Sequence, residues 1–147
     1  MKKHTDILVI DDEQVIVDAV VKICALDNYT VDVALNTKTG LEKIANNHYP
    51  IIISDIMMPD GDGFEILEAV KSKKEDSAVI MATGFSTVEN AVNSLYNGAV
   101  SFIPKPFTVD ELLSTVYRVN NFQKIVEKQK VLTQQQKNDE ILFVACP

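Results

Sequence analysis

A doubly wound α/β domain, five β-α units forming a parallel sheet with helices on both faces, is the fold class this sequence predicts. Three observations predict it. Short, mostly unbroken apolar runs recur along the chain, stretches with helical spacing lie between them, and capping residues stand at the junctions. Ile7-Leu8-Val9-Ile10 is the first run, continuous enough for a strand covered on both faces. Ile16, Ala19, Val20, Ile23 and Cys24 then follow one helix face. Tyr29–Ala34 is β-branched but alternates, with Asp32 between Val31 and Val33, which suits a strand nearer the sheet edge. Leu41, Ile44 and Ala45 form the second helical pattern, with Thr37 as its candidate N-cap. Ile51-Ile52-Ile53 is the third strand, and Phe64, Leu67 and Val70 the third helix, behind Asp62. Ala78–Ala82 is the fourth strand; Val88, Ala91, Val92 and Leu95 give a helix that starts after Thr87 and stops at Asn97-Gly98. Val100–Ile103 is a weaker fifth strand, and Leu112, Leu113, Val116 and Val119 a fifth helix behind Thr108.

With 147 residues, 46% hydrophobic and 24% charged, the chain has the size and balance of one globular domain. The net charge of -7 argues against direct binding to nucleic acid or an anionic membrane. Cys24 and Cys146 lie far apart, without the spacing of a zinc site or a disulfide framework. Apolar runs fall well short of the roughly 20 residues of a membrane span. The basic start Met1-Lys2-Lys3 leads into a stretch too short for a signal peptide, so a cytoplasmic location is expected. Residues 1–120 are expected to form the domain and 121–147 a helical extension or linker. From Asn120 to Asn138 the chain is polar and rich in Gln and Lys, and the fifth helix is expected to continue through Phe122 and Val126. Ile141–Ala145 is a fresh apolar run, either docking back or, as favoured, leading to a further domain.

Polar residues gather where the strands end. The first strand runs into Asp11-Asp12-Glu13, the third ends Ser54-Asp55, the fourth ends at Thr83, and Lys105 follows the fifth. Ligands of open parallel sheets bind beyond the carboxyl ends of the strands, at the point where strand order reverses. With the order 2-1-3-4-5, that point lies between the first and third strands, so Asp11, Asp12 and Asp55 share one crevice beside Thr83 and Lys105. Clustered carboxylates repel and are costly to desolvate without a cation. Mg²⁺ takes such oxygens together with phosphate oxygens, leaving one aspartate able to act as a phosphoryl acceptor. Taken singly, each residue has a plainer reading as a cap, turn or strand exit; their convergence on one edge is what points to a site.

These residues also carry a resemblance. Ile7–Asp12, Asp55-Ile56-Met57-Met58-Pro59-Asp60-Gly61-Asp62-Gly63, Thr83-Gly84 and Phe102-Ile103-Pro104-Lys105-Pro106-Phe107 resemble, in order, the motifs of the receiver domain of bacterial two-component response regulators over about residues 5–120. From Thr83 through Phe107 the chain is similar to receivers of nitrogen-regulator-type regulators. The resemblance implies a flavodoxin-like fold and phosphorylation of Asp55 by a sensor histidine kinase. It also implies Mg²⁺ held by Asp12, Asp55, the Met57 backbone carbonyl and, mostly through water, Asp11. Lys105 would hold a phosphate oxygen, with a cis bond to Pro106, and Thr83 and Phe102 would form the switch pair. Met57 and Phe85 match positions flanking the path of the hydrolytic water, and neither can orient water by hydrogen bonding, so slow dephosphorylation is expected. Dimerisation through the fourth-helix and fifth-strand face is a family tendency; the output domain or partner is not indicated.

The chain is thus expected to be a signalling module rather than a turnover enzyme, catalysing only its own phosphorylation and dephosphorylation. Two other readings compete. A receiver-like interaction module independent of phosphate usually lacks an acid or the lysine, whereas all are present. A Mg²⁺-dependent phosphohydrolase of the haloacid-dehalogenase type expects Asp-x-Asp-x-Thr after the first strand, where this chain has Asp11-Asp12-Glu13-Gln14-Val15. His4 and His48 lack partners at metal-ligand spacing, and Asp60 reads as a solvated turn residue.

Overall fold

The computed structural model describes the backbone of residues 4–145 and the side chains of residues 4–140. Met1-Lys2-Lys3, the side chains of the Ile141–Ala145 run, Cys146 and Pro147 lie outside the described residues. In chain order the elements are β1 (Ile7–Ile10), α1 (Gln14–Ala25), β2 (Val31–Ala34), α2 (Thr37–Asn46), β3 (Ile51–Ser54), β4 (Met57–Met58), β5 (Gly61–Asp62), α3 (Gly63–Lys73), β6 (Ala78–Thr83), α4 (Val88–Tyr96), β7 (Ser101–Pro104) and α5 (Val109–Ala145). Five strands form an all-parallel sheet in the order β2-β1-β3-β6-β7. This is the expected 2-1-3-4-5 order once β4 and β5 are set aside. Those two short strands make an antiparallel ribbon that the hydrophobic pattern did not announce.

Alternation along the strands divides the core. Ile7, Val9, Ile51, Ile53, Ala78, Ile80 and Ala82 face one side, where Val17, Val20 and Cys24 of α1 and Leu112, Val116 and Val119 of α5 cover them. Leu8, Ile10, Ile52, Val79 and Met81 face the other, against Ile44 of α2 and Ile66, Leu67 and Val70 of α3. Continuous apolar strands therefore reflect two covered faces. Each fully buried Ile or Leu side chain contributes roughly 1.5–3 kcal/mol relative to exposure. β2 lies at the edge as expected. Its Asp32 accepts from the Tyr49 hydroxyl at 2.6 Å and from Lys43 Nζ at 2.7 Å, a paired carboxylate on an otherwise apolar strand.

Helix boundaries match the cap chemistry with one correction. Asp62, Thr87 and Thr108 accept from the backbone N–H groups of Glu65, Asn90 and Glu111. Thr37, expected as the N-cap of α2, is instead its first helical residue and is buried. Asn36, with extended backbone just before the helix, caps it instead, its side-chain oxygen accepting from the Thr39 N–H at 2.7 Å, while Thr37 packs inward. α4 stops at Asn97, and Gly98 turns away with φ +109°, a conformation strained for any residue with a Cβ. α5 runs unbroken past the expected domain edge to Ala145. Beyond the sheet, Gln123 Nε2 donates to the Pro50 and Asp76 carbonyls, and Lys130 pairs with Asp76, laying the helix against the α3–β6 turn.

Candidate functional site

Strand register assembles the site. Ile10 pairs with Ser54 across β1 and β3, so the residues that follow, Asp11 and Asp55, leave the sheet side by side. Their amides stay in the ladder: the Asp55 N–H donates to the Ile10 carbonyl, and the Asp11 N–H to that of Ala34. Thr83 pairs with Pro104 at the end of β6, and the Lys105 N–H donates to the Thr83 carbonyl, which carries the lysine to the same edge. Four elements thus deliver their polar residues to one crevice at the carboxyl ends of the strands.

One carboxylate oxygen each from Asp11, Asp12 and Asp55 lies within 4.8 Å of the others. Asp11 and Asp55 are buried, while Asp12 stands exposed at the rim. Asp11 Oδ1 accepts from the Glu13 N–H at 3.0 Å, and Asp55 Oδ1 from the Ile56 N–H at 2.6 Å. Their remaining oxygens both take the Lys105 ammonium, which pairs with Asp11 and stands 2.9 Å from Asp55 Oδ2. Burial pushes the Asp11 carboxyl above its usual range, outweighing the pull of Lys105 and of the Glu13 amide. Burial pulls the Lys105 ammonium down, but its bonds to Asp11 and Asp55 more than offset this, and its pKa is raised. A strained excess of negative charge with hard oxygen donors at short range suits a small divalent cation.

The other expected residues surround this cluster. Thr83 is fully buried, and its hydroxyl oxygen accepts from the Phe85 N–H at 3.1 Å, which leaves its own proton free to donate. Phe102 pairs with Met81, so it shares a sheet face with Thr83; it is partly buried against the core on that face. Met57 and Phe85 stand half-exposed at the rim. The Lys105–Pro106 peptide is cis, as the resemblance implies. Gly63 permits the tight return after Asp55: its N–H donates to the Ile56 carbonyl at 2.7 Å, and a Cβ there would meet the Asp55 carbonyl at 2.5 Å.

Asp60 is the exposed turn residue the sequence predicts, and it has a second role. Its two carboxylate oxygens accept from the Thr37 and Lys38 N–H groups, both at 2.9 Å, tying the β4–β5 ribbon to the start of α2. Those two bonds, that to Lys38 foremost, hold its carboxyl below the usual range. One signal was available in the sequence: the first turn of α2 has no acidic residue of its own. Cys24 is buried in the core, and its thiol is pushed up to about 12 by that burial, which makes it inert. Val88, Val92, Leu95 and Tyr96 of α4 are exposed, so the apolar stripe predicted there faces outward. Among the described residues no helix is long and apolar enough to cross a membrane.

Comparison with known proteins agrees with this geometry. The family model of the response regulator receiver domain matches residues 7–117. A transcriptional regulatory protein, DltR of Streptococcus agalactiae, is 36% identical over 110 residues, which are 75% of this chain and 49% of DltR. The chain therefore spans about half the length of such curated relatives. The crystal structure of a CheY-like receiver domain protein from Methanospirillum hungatei superposes with a TM-score of 0.77 at 33% identity, covering 83% of this chain and 98% of that one. The beryllofluoride-activated NtrC4 receiver domain, solved as a dimer, gives 0.76 at 34% identity over 80% of this chain and 98% of its own.

Proposed function

The chain belongs to the response regulator receiver family, and on that premise we propose that Asp55 accepts a phosphoryl group from a phosphohistidine of a sensor histidine kinase. It is a signalling domain rather than a classical enzyme. The observation that carries the reading is the crevice itself: three carboxylates within 4.8 Å of one another, two of them bridged by one buried ammonium.

The donor set fits Mg²⁺. Asp12, Asp55 and the Met57 carbonyl would hold the ion, with Asp11 acting mainly through water, and bound there it neutralises charge on the phosphoryl oxygens. An Asp55 carboxylate oxygen attacks phosphorus as the phosphorus–nitrogen bond to the kinase histidine breaks. The departing imidazole nitrogen keeps the electron pair and takes a proton from solvent. Lys105 moves from its carboxylate partners to a phosphoryl oxygen, trading one anion for another at little cost in desolvation. Thr83 donates its free hydroxyl proton to a second phosphoryl oxygen. The new group carries a charge of roughly -2, enough to bias a two-state element. As Thr83 shifts, the partly buried Phe102 ring turns into the space vacated and reshapes the face of α4 and β7.

That face exposes Val88, Val92, Leu95 and Tyr96, and it is the surface through which the activated domain pairs with a second copy or an output partner. The location is the cytoplasm, where the kinase presents its phosphohistidine. Residues 1–120 act as the receiver, and the α5 extension relays the change outward. Incubation with acetyl phosphate and Mg²⁺, followed by intact mass, tests the reading. Wild type gains one phosphoryl group and D55N gains none; equal gain in both would refute Asp55 as acceptor.

A further inference from the structure

Both ends of α2 are held by charged side chains of the segment that follows Asp55. At its start, the Thr37 and Lys38 amides donate to the two Asp60 oxygens, while Asn36 serves only the Thr39 amide. At its end, Lys73 Nζ donates to the Ile44 carbonyl at 2.5 Å and to the Asn47 carbonyl at 2.6 Å. A carboxylate on the leading amides and an ammonium on the trailing carbonyls each sit at the favourable end of the helix dipole. α2 supplies no acid in its own first turn, so the ribbon supplies one.

The two clamps lead to different places. Lys73 closes α3 at the edge of the sheet remote from the carboxylates. Asp60 lies in the turn of the β4–β5 ribbon, whose first residue is Met57, two after Asp55. Other contacts seat the same ribbon on α2. The Thr37 hydroxyl lies 3.8 Å from the Met58 sulfur, and a Cβ on Gly61 would come within 3.0 Å of the Thr37 methyl. At the base of the ribbon, the Gly63 N–H bond to the Ile56 carbonyl closes the loop that Asp55 opens. An anchor at the turn and a closure at the base leave Met57 little freedom.

We propose that Asp60 is a positioning residue for phosphoryl transfer: by pinning the ribbon turn to the start of α2, it sets where Met57 stands relative to Asp11, Asp12 and Asp55, and so how well the crevice receives a divalent cation. This rests on the reading of Asp55 as the acceptor in a Mg²⁺ site. Outer residues that orient a metal site commonly change affinity by about 10–100-fold when replaced.

Mg²⁺ titrations of the full chain, followed by the amide resonances of residues 55–57, test the proposal alongside hydrogen exchange at Thr37 and Lys38. D60A exposes both amides to exchange and raises the half-saturating Mg²⁺ concentration about tenfold. D60N keeps one acceptor oxygen and falls between D60A and wild type; it carries the comparison if D60A does not fold. K73M loosens the far end of α2 but keeps the wild-type Mg²⁺ midpoint, which separates positioning from general loosening. An unchanged midpoint in D60A and D60N, or an equal shift in K73M, overturns the proposal. Wild type that neither binds Mg²⁺ nor takes up a phosphoryl group from acetyl phosphate overturns the underlying reading instead.

Discussion

Replacing Lys105 with methionine isolates the electrostatic core of the site. The ammonium lies between Asp11 and Asp55, and the side chains are 8%, 3% and 6% exposed respectively, so little water screens the charges. At an effective dielectric of about 20, the attraction between Lys105 and Asp55 alone, at 2.9 Å, is roughly 6 kcal/mol. Freeing the lysine from its own desolvation cost cancels part of that. Removing one partner from a buried ionic cluster leaves a net loss of about 3–5 kcal/mol, because the carboxylates remain buried and unpaired. That is a large share of the roughly 5–15 kcal/mol expected for a domain of this kind. Methionine nearly matches the lysine stem in volume, so packing changes little. Urea unfolding followed by circular dichroism, in EDTA and in excess Mg²⁺, measures the effect. K105M loses about 3–5 kcal/mol in EDTA, and Mg²⁺ restores more stability to it than to wild type, since a divalent cation takes over the role of the ammonium. A loss below about 1 kcal/mol in EDTA, the range of an exposed ion pair, would refute the account of a charge-stressed crevice. So would a Mg²⁺ increment no larger than that of wild type.

Two other perturbations address lifetime and pH. M57N places a hydrogen-bonding side chain at the rim beside Asp55, where it can orient an attacking water; the half-life of the phosphorylated protein, followed by intact mass after removal of acetyl phosphate, shortens by about tenfold or more. An unchanged half-life would show that Met57 does not govern access of water. On the edge strand, burial raises the Asp32 carboxyl, but Lys43, Tyr49 and the Val33 amide outweigh it and hold its pKa below 3.8. Because the folded value is depressed, the stabilisation is present above 3.8 and is lost as pH falls through the folded value. D32N is therefore less stable than wild type near pH 7, and their urea midpoints draw together only as pH falls below 3.8; parallel curves would exclude the linkage.

Much of the fold and site was legible because the relevant physics is local or periodic. A strand covered on both faces must be apolar throughout, as Ile51-Ile52-Ile53 is, and an edge strand tolerates Asp32. Asp62, Thr87 and Thr108 showed their caps because a short oxygen-bearing side chain just before a helix stands within reach of that helix's own first amides. The convergence of Asp11, Asp55, Thr83 and Lys105 followed from strand order, since every parallel strand presents its end to the same edge.

Contacts between residues distant in sequence were decided by the tertiary structure alone. Asp60 bonds to amides more than twenty residues upstream, and the one hint in the sequence, an α2 first turn without an acid, does not say which distant carboxylate takes that place. α4 carries the period of a buried helix, yet Val88, Val92 and Leu95 lie outside, because periodicity records that a face is apolar and not whether anything covers it. Likewise, the sequence named Lys105 and its candidate phosphate partner, but packing determined that the ammonium spans Asp11 and Asp55 in a nearly water-free crevice. The spacing of like residues along a chain is a one-dimensional property, whereas the environment that sets the energy of a charge comes from elements brought together in three dimensions.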